Sequence, residues 1–128
     1  MDTLGLVWAL LVLPADTSEK DGGEWLLLAL RRAVARLKVI WADGAYLGAV
    51  GYARRAFGWA LVVVGRLAGQ VGFEVLPKRW IVERTFGWLA RYRRLNRDYE
   101  RGCGSATAGV YVAMIHLMTR RLARMRTN

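Results

Sequence analysis

Leu37-Lys-Val-Ile-Trp-Ala-Asp-Gly44, followed by an apolar-periodic segment over 46–57 and by Trp59-Ala-Leu-Val-Val-Val64, is the stretch that decides the fold. The first run reads as a buried strand over 37–42 that stops at Asp43-Gly44. Residues 46–57 predict a helix closed by Gly58. The third run, rich in β-branched residues, predicts a second strand. Strands alternating with helices imply an α/β layered domain with a partly parallel sheet. Upstream, residues 6–13 are apolar without alternation and suit a central strand covered on both faces. Thr3-Leu4-Gly5 in front of them reads as a turn. Pro14-Ala-Asp-Thr-Ser18 ends that strand and supplies N-caps. A helix is predicted over 19–36, with Trp25, Leu26, Ala29, Leu30 and Val34 near helical spacing. Downstream, 65–77 predicts a loop with a short strand at 73–76. A long helix over 79–96, a loop at Gly102-Cys103-Gly104 and a last helix over 105–124 complete the reading. The expected class is α/β: a mixed sheet flanked by helices.

Composition narrows the function. The chain has 128 residues, about one domain. Its 55% apolar content argues against disorder. One cysteine, Cys103, excludes a disulfide scaffold, and one histidine, His116, leaves no Cys/His zinc set. Any metal is therefore expected on carboxylates. The net charge is +10, from 17 Arg and 3 Lys against 10 acids. Residues 77–128 carry 12 basic and 3 acidic side chains, and residues 1–76 carry 8 and 7. A basic half of this kind suits a polyanion such as nucleic acid, or an anionic membrane surface, with a solvated Arg-rich helix face as the plainer alternative. Residues 4–13 are too short to span a bilayer and lack a basic leader, so no membrane segment and a cytoplasmic location are expected.

Two carboxylates carry the chemistry. Asp43 stands at the carboxyl end of a strand, where ligands gather in open α/β sheets, although Asp-Gly is also an ordinary turn. Glu83 lies in the helix Arg79-Trp-Ile-Val-Glu-Arg-Thr-Phe-Gly-Trp-Leu-Ala90. Val82, Phe86 and Leu89 would form one apolar stripe, and Ile81, Trp88 and Tyr92 another. Glu83 would share the remaining face with Arg79, Gly87, Ala90 and Arg94. A surface Glu paired with Arg79 and Arg84 is the plainer alternative.

Trp41-Ala-Asp-Gly-Ala-Tyr46, Leu76-Pro-Lys-Arg-Trp-Ile-Val-Glu-Arg-Thr-Phe-Gly-Trp-Leu-Ala90 and Arg91-Tyr-Arg-Arg-Leu-Asn-Arg-Asp-Tyr-Glu100 together resemble the C-terminal part of a bacterial insertion-sequence DDE transposase. The similarity runs from the Asp2-Thr-Leu-Gly5 turn to the final helix. It implies an RNase H-like core in which three acidic residues hold two divalent cations, Mg²⁺ or Mn²⁺, for phosphodiester hydrolysis and DNA strand transfer. Asp43 matches the second acid and Glu83 the third. Arg79 and Glu83 match the Arg-x3-Glu of the family's Tyr-x2-Arg-x3-Glu-x6-Lys signature. Leu76 and Ala90 depart from its Tyr and Lys.

The first acid has no counterpart here, since Asp2 matches the turn. The resemblance therefore implies a single truncated catalytic domain over 1–128, N-terminal strands missing, with a basic helical part over 78–128. On this reading the chain is inactive alone and needs an upstream polypeptide. DNA contacts are expected at Lys78, Arg79, Arg84, Arg91, Arg93 and Arg94, and self-association is open. The competing readings are a catalytically dead remnant that grips DNA through the Arg-rich helix, and a basic membrane-surface or structural protein.

Overall fold

The computed structural model describes residues 1–65, 78–97 and 99–127. The chain forms two compact units, Leu13–Arg79 and Met1–Val12 with Trp80–Asn128.

In the first unit, helix α1 spans Glu19–Ala33. Ser18 caps it: its hydroxyl accepts the Asp21 N–H at 3.1 Å and donates to the Asp21 carboxylate at 2.7 Å. Glu19 and Asp21 in the first turn and Arg31 and Arg32 in the last complement the helix dipole. The buried positions are Gly23 and Leu27, and Trp25 is half exposed, so the buried stripe differs from the expected one. Strand β1 (Val39–Asp43) pairs in parallel with β2 (Ala60–Val64), with Val39 opposite Ala60 and Asp43 opposite Val64. The connection opens as a 3-10 turn over Gly44–Ala49 and continues as α2, Val50–Phe57. The single expected helix is thus two segments, the first of them a 3-10 turn that Asp43 caps. Gly58 ends α2 at φ +68°, and the Trp59 N–H returns to the Ala53 carbonyl at 3.2 Å. Leu27, Ala49, Ala53, Trp59 and Leu61 form the core. Phe57 packs against Trp59 with ring centroids 4.7 Å apart.

In the second unit, α3 spans Arg79–Leu89 (its first residue belonging to the other unit), α4 Arg93–Asn96 and α5 Cys103–Thr127. The expected helix over 79–96 is broken. The Arg91 and Tyr92 amides bond three residues back, to Trp88 and Leu89, which tightens the last turn. Tyr92 is then extended, at φ −86° and ψ 106°. Its hydroxyl lies 2.9 Å from Nδ1 of His116 on α5, a tie consistent with that conformation. Cys103 opens α5 and is not a loop thiol. Ile81, Thr85, Ala113 and Met114 are buried, whereas Val82 and Phe86 are 38% and 61% exposed. The stripe expected from Val82 and Phe86 is not the packed one.

Residues 6–13 form no strand. A strand exists only through a paired ladder, and none of the described strands pairs with this run. Its backbone is met by side chains: the Asp2 carboxylate accepts the Leu4 and Leu6 amides, and Tyr111 bonds the Leu10 amide at 3.1 Å. The turn before it is present, with the Gly5 amide on the Asp2 carbonyl at 3.0 Å. The expected strand at 73–76 lies outside the described residues. Among the described residues the sheet has two parallel strands, so the architecture shown is mixed α/β, and the mixed sheet expected from the sequence is not seen.

Candidate functional site

Asp43 ends β1 with its side chain exposed. One carboxylate oxygen accepts the Ala45 amide at 3.2 Å, which makes Asp43 the N-cap of the 3-10 turn. An Asp at a strand end is thereby held by its own turn, while its second oxygen makes no hydrogen bond among the described residues. Asp-Gly is thus a turn, and Asp43 stands at the carboxyl end of a parallel pair.

Val39, Trp41 and Asp43 share one face of β1 because side chains alternate along a strand. Lys78 Nζ sits 3.5 Å from the centroid of the Trp41 ring, a cation–π contact. This expected DNA-binding lysine is thus seated on the strand face that carries Asp43. Its backbone is left-handed, at φ +65°, an uncommon conformation for a residue with a β-carbon.

Glu83 lies one turn inside α3 and is exposed, as is Arg79. Arg84 is differently placed. Trp80, Arg84 and Trp88 recur every four residues along α3, and the guanidinium carbon lies 4.6 Å and 4.8 Å from the two rings. Nη2 of Arg84 donates to the Leu4 carbonyl at 2.9 Å. Beside it, the buried Thr85 hydroxyl donates to the Gly5 carbonyl at 2.7 Å. Arg84 therefore ties the N-terminal turn to α3, a role the sequence reading missed. The four-residue Trp-Arg-Trp spacing was the signal for it.

Arg91 and Arg93 are exposed. Arg94 pairs with Glu100, whose other oxygen accepts the Ser105 hydroxyl. The Arg94 hydrogen bond, then that of Ser105, holds the Glu100 carboxyl below its ordinary pKa.

A second arrangement involves the last helix, whose Arg120, Arg121, Arg124 and Arg126 are the sequence's alternative DNA contact. Trp88, Arg91 and Tyr92 face His116, Leu117, Arg120, Arg121 and Arg124 of α5 across a groove of about 400 Å³. Arg121 lies over the Trp88 ring at 4.1 Å. The arginines one turn apart on α5 were its signal.

Asp43 and Glu83 supply the hard oxygen donors that Mg²⁺ or Mn²⁺ prefers. Among the described residues, no three His, Cys, Asp or Glu side chains gather closely enough to hold a metal ion. The donor chemistry of the two carboxylates fits a divalent cation. No described helix is long and apolar enough to cross a membrane.

No curated protein and no solved structure gives a match to this chain. A family model described as the transposase DDE domain matches residues 1–118. With that match covering all but the last ten of 128 residues, the chain belongs to the transposase DDE domain family.

Proposed function

We propose that this chain is part of the catalytic machinery of a DNA transposase, with Asp43 and Glu83 as two ligands of a divalent-metal site within an RNase H-like core. The observation that carries the reading is the family match over residues 1–118, within which Asp43 ends a parallel strand with one carboxylate oxygen uncommitted. A divalent cation held by such carboxylates stabilises the charge that develops on the attacking and leaving oxygens of a phosphodiester. Asp43 brings a carboxylate whose orientation is set before any metal arrives, since the Ala45 amide holds one oxygen. Glu83 brings an exposed carboxylate from a helix. Two carboxylates are fewer than the three acids the family resemblance implies, and a third carboxylate completes the set in this reading. The chain alone is then a weak metal binder that neither cleaves nor joins DNA.

Lys78, Arg79, Arg91 and Arg93 position the DNA backbone in this proposal, and phosphate contacts of this kind set register without reading bases. Arg84 and Arg94 contribute by holding the helix that carries Glu83 and the turn that follows it, given their bonds to Leu4 and Glu100. The protein acts without a membrane.

Titrating Mn²⁺ into isotope-labelled protein tests the site. Paramagnetic broadening should appear together at Asp43 and Glu83 and vanish at both in Asp43→Asn. Broadening confined to one of them would break the assignment. Strand transfer by the pure chain would show that the ligand set is complete within it.

A further inference from the structure

We infer that the groove between the 88–92 turn and α5 is a seat for the phosphate backbone of duplex DNA. Four guanidinium groups line it, from Arg91, Arg120, Arg121 and Arg124, and among the described residues no acidic side chain does. Arg91, Arg120 and Arg124 make no hydrogen bond or ion pair among the described residues. Clustered like charges repel, and a bound polyanion relieves that repulsion. The guanidinium fork matches phosphate oxygens in geometry.

The aromatic residues decide which part of the nucleic acid enters. Trp88 is contacted by Arg84 and by Arg121, and Tyr92 is packed edge-on against His116 and hydrogen-bonded to it. Rings so engaged are poor platforms for an unstacked base, which would need a bare π-face. They serve as a rigid floor that aims the arginines. Arg120 and Arg124 are one helical turn apart, with β-carbons ~5–6 Å from each other, so each reaches its own phosphate along one strand. The seat is therefore indifferent to sequence, and it needs no opened duplex. This inference rests on the transposase reading only in naming DNA as the polyanion.

The test uses the whole chain, a short fluorescent duplex of arbitrary sequence and an anisotropy titration over a salt series. Arg120→Ala with Arg124→Ala should flatten the log–log salt slope by about two units, roughly one for each phosphate no longer neutralised. Arg54→Ala with Arg55→Ala removes the same charge from exposed positions of α2 and should leave the slope unchanged. Equal flattening in both pairs, or none in the α5 pair, would overturn the proposal. So would an α5 pair that loses binding to anionic phosphatidylserine vesicles while keeping its grip on the duplex. Lost Mn²⁺ broadening with an intact groove effect breaks the catalytic reading alone. An intact Mn²⁺ site with an unresponsive groove breaks this inference alone.

Discussion

The two units of the chain are held together by different physics. Leu13–Arg79 is closed by packing: alanines 49 and 53 at 1% and 0% exposure let α2 and the 3-10 turn come close to their neighbours, and Trp59 and Leu61 fill the space above β2. Met1–Val12 with Trp80–Asn128 buries Ile81, Ala113 and Met114 among its described residues and adds polar ties of long sequence separation. Thr85 and Arg84 reach the Gly5 and Leu4 carbonyls, Tyr111 reaches the Leu10 amide, and Arg121 lies on Trp88. A packed core tolerates shape changes poorly, whereas a network of ties fails when a single missing donor leaves an acceptor unmet. The arginine-lined groove lies on the tied unit and the strand-end Asp43 on the packed one.

The largest expected effect attacks the packed unit. Trp59→Ala removes a side chain that is 2% exposed and should cost about 3–5 kcal/mol, read as a lowered denaturant midpoint. A cost near zero would show that packing does not close this unit.

Thr85→Val probes the tied unit with nearly equal volume. It strands the Gly5 carbonyl and should cost about 1–3 kcal/mol by the same measurement. A neutral result would reduce the tie to coincidence and erase the contrast.

Two glycines sharpen the comparison further, because both are left-handed and their surroundings differ. Gly58→Ala meets nothing within 4 Å, so only the backbone cost of roughly 1 kcal/mol is expected. At Gly5 a new β-carbon would lie 2.6 Å from the buried Thr85 hydroxyl oxygen. Gly5→Ala should therefore destabilise clearly more than Gly58→Ala. Equal losses in melting temperature would mean that the N-terminal turn is not seated on α3.

The smallest effect is a titration. Folding lowers the Glu100 carboxyl pKa through Arg94 and Ser105. The associated stabilisation is complete above the unfolded-state value and is lost as pH falls through the folded-state value. An NMR titration should place Glu100 below an unpaired glutamate, and Arg94→Ala should raise it. No movement in that variant would remove this tie from the second unit.

Legibility followed the same division. Strands near 37–42 and 59–64, the helix after Ser18 and the stop at Gly58 were all readable, because each depends on neighbours within a few residues: a capping hydroxyl, a β-branched run, a left-handed glycine. Asp43 at a strand end was readable for that reason. Residues 6–13 were misread, since an apolar run states only that it prefers burial, and whether it joins a ladder depends on a partner strand far away in the chain. The break at Tyr92 was equally hidden, as nothing between 79 and 96 announces it and His116 lies on another helix.

Sequence alone therefore determined the family, the basic bias of residues 77–128 and the identity of the candidate carboxylates Asp43 and Glu83, all of them properties of residue type and local spacing. Tertiary structure alone decided which arginines are committed. Arg84 is clamped between two tryptophans and Arg94 is paired with Glu100, whereas Arg91, Arg120 and Arg124 line a groove that has no acid among its described residues. The same guanidinium is committed or available according to what long-range packing brings beside it, and a one-dimensional charge count carries no information about that neighbour.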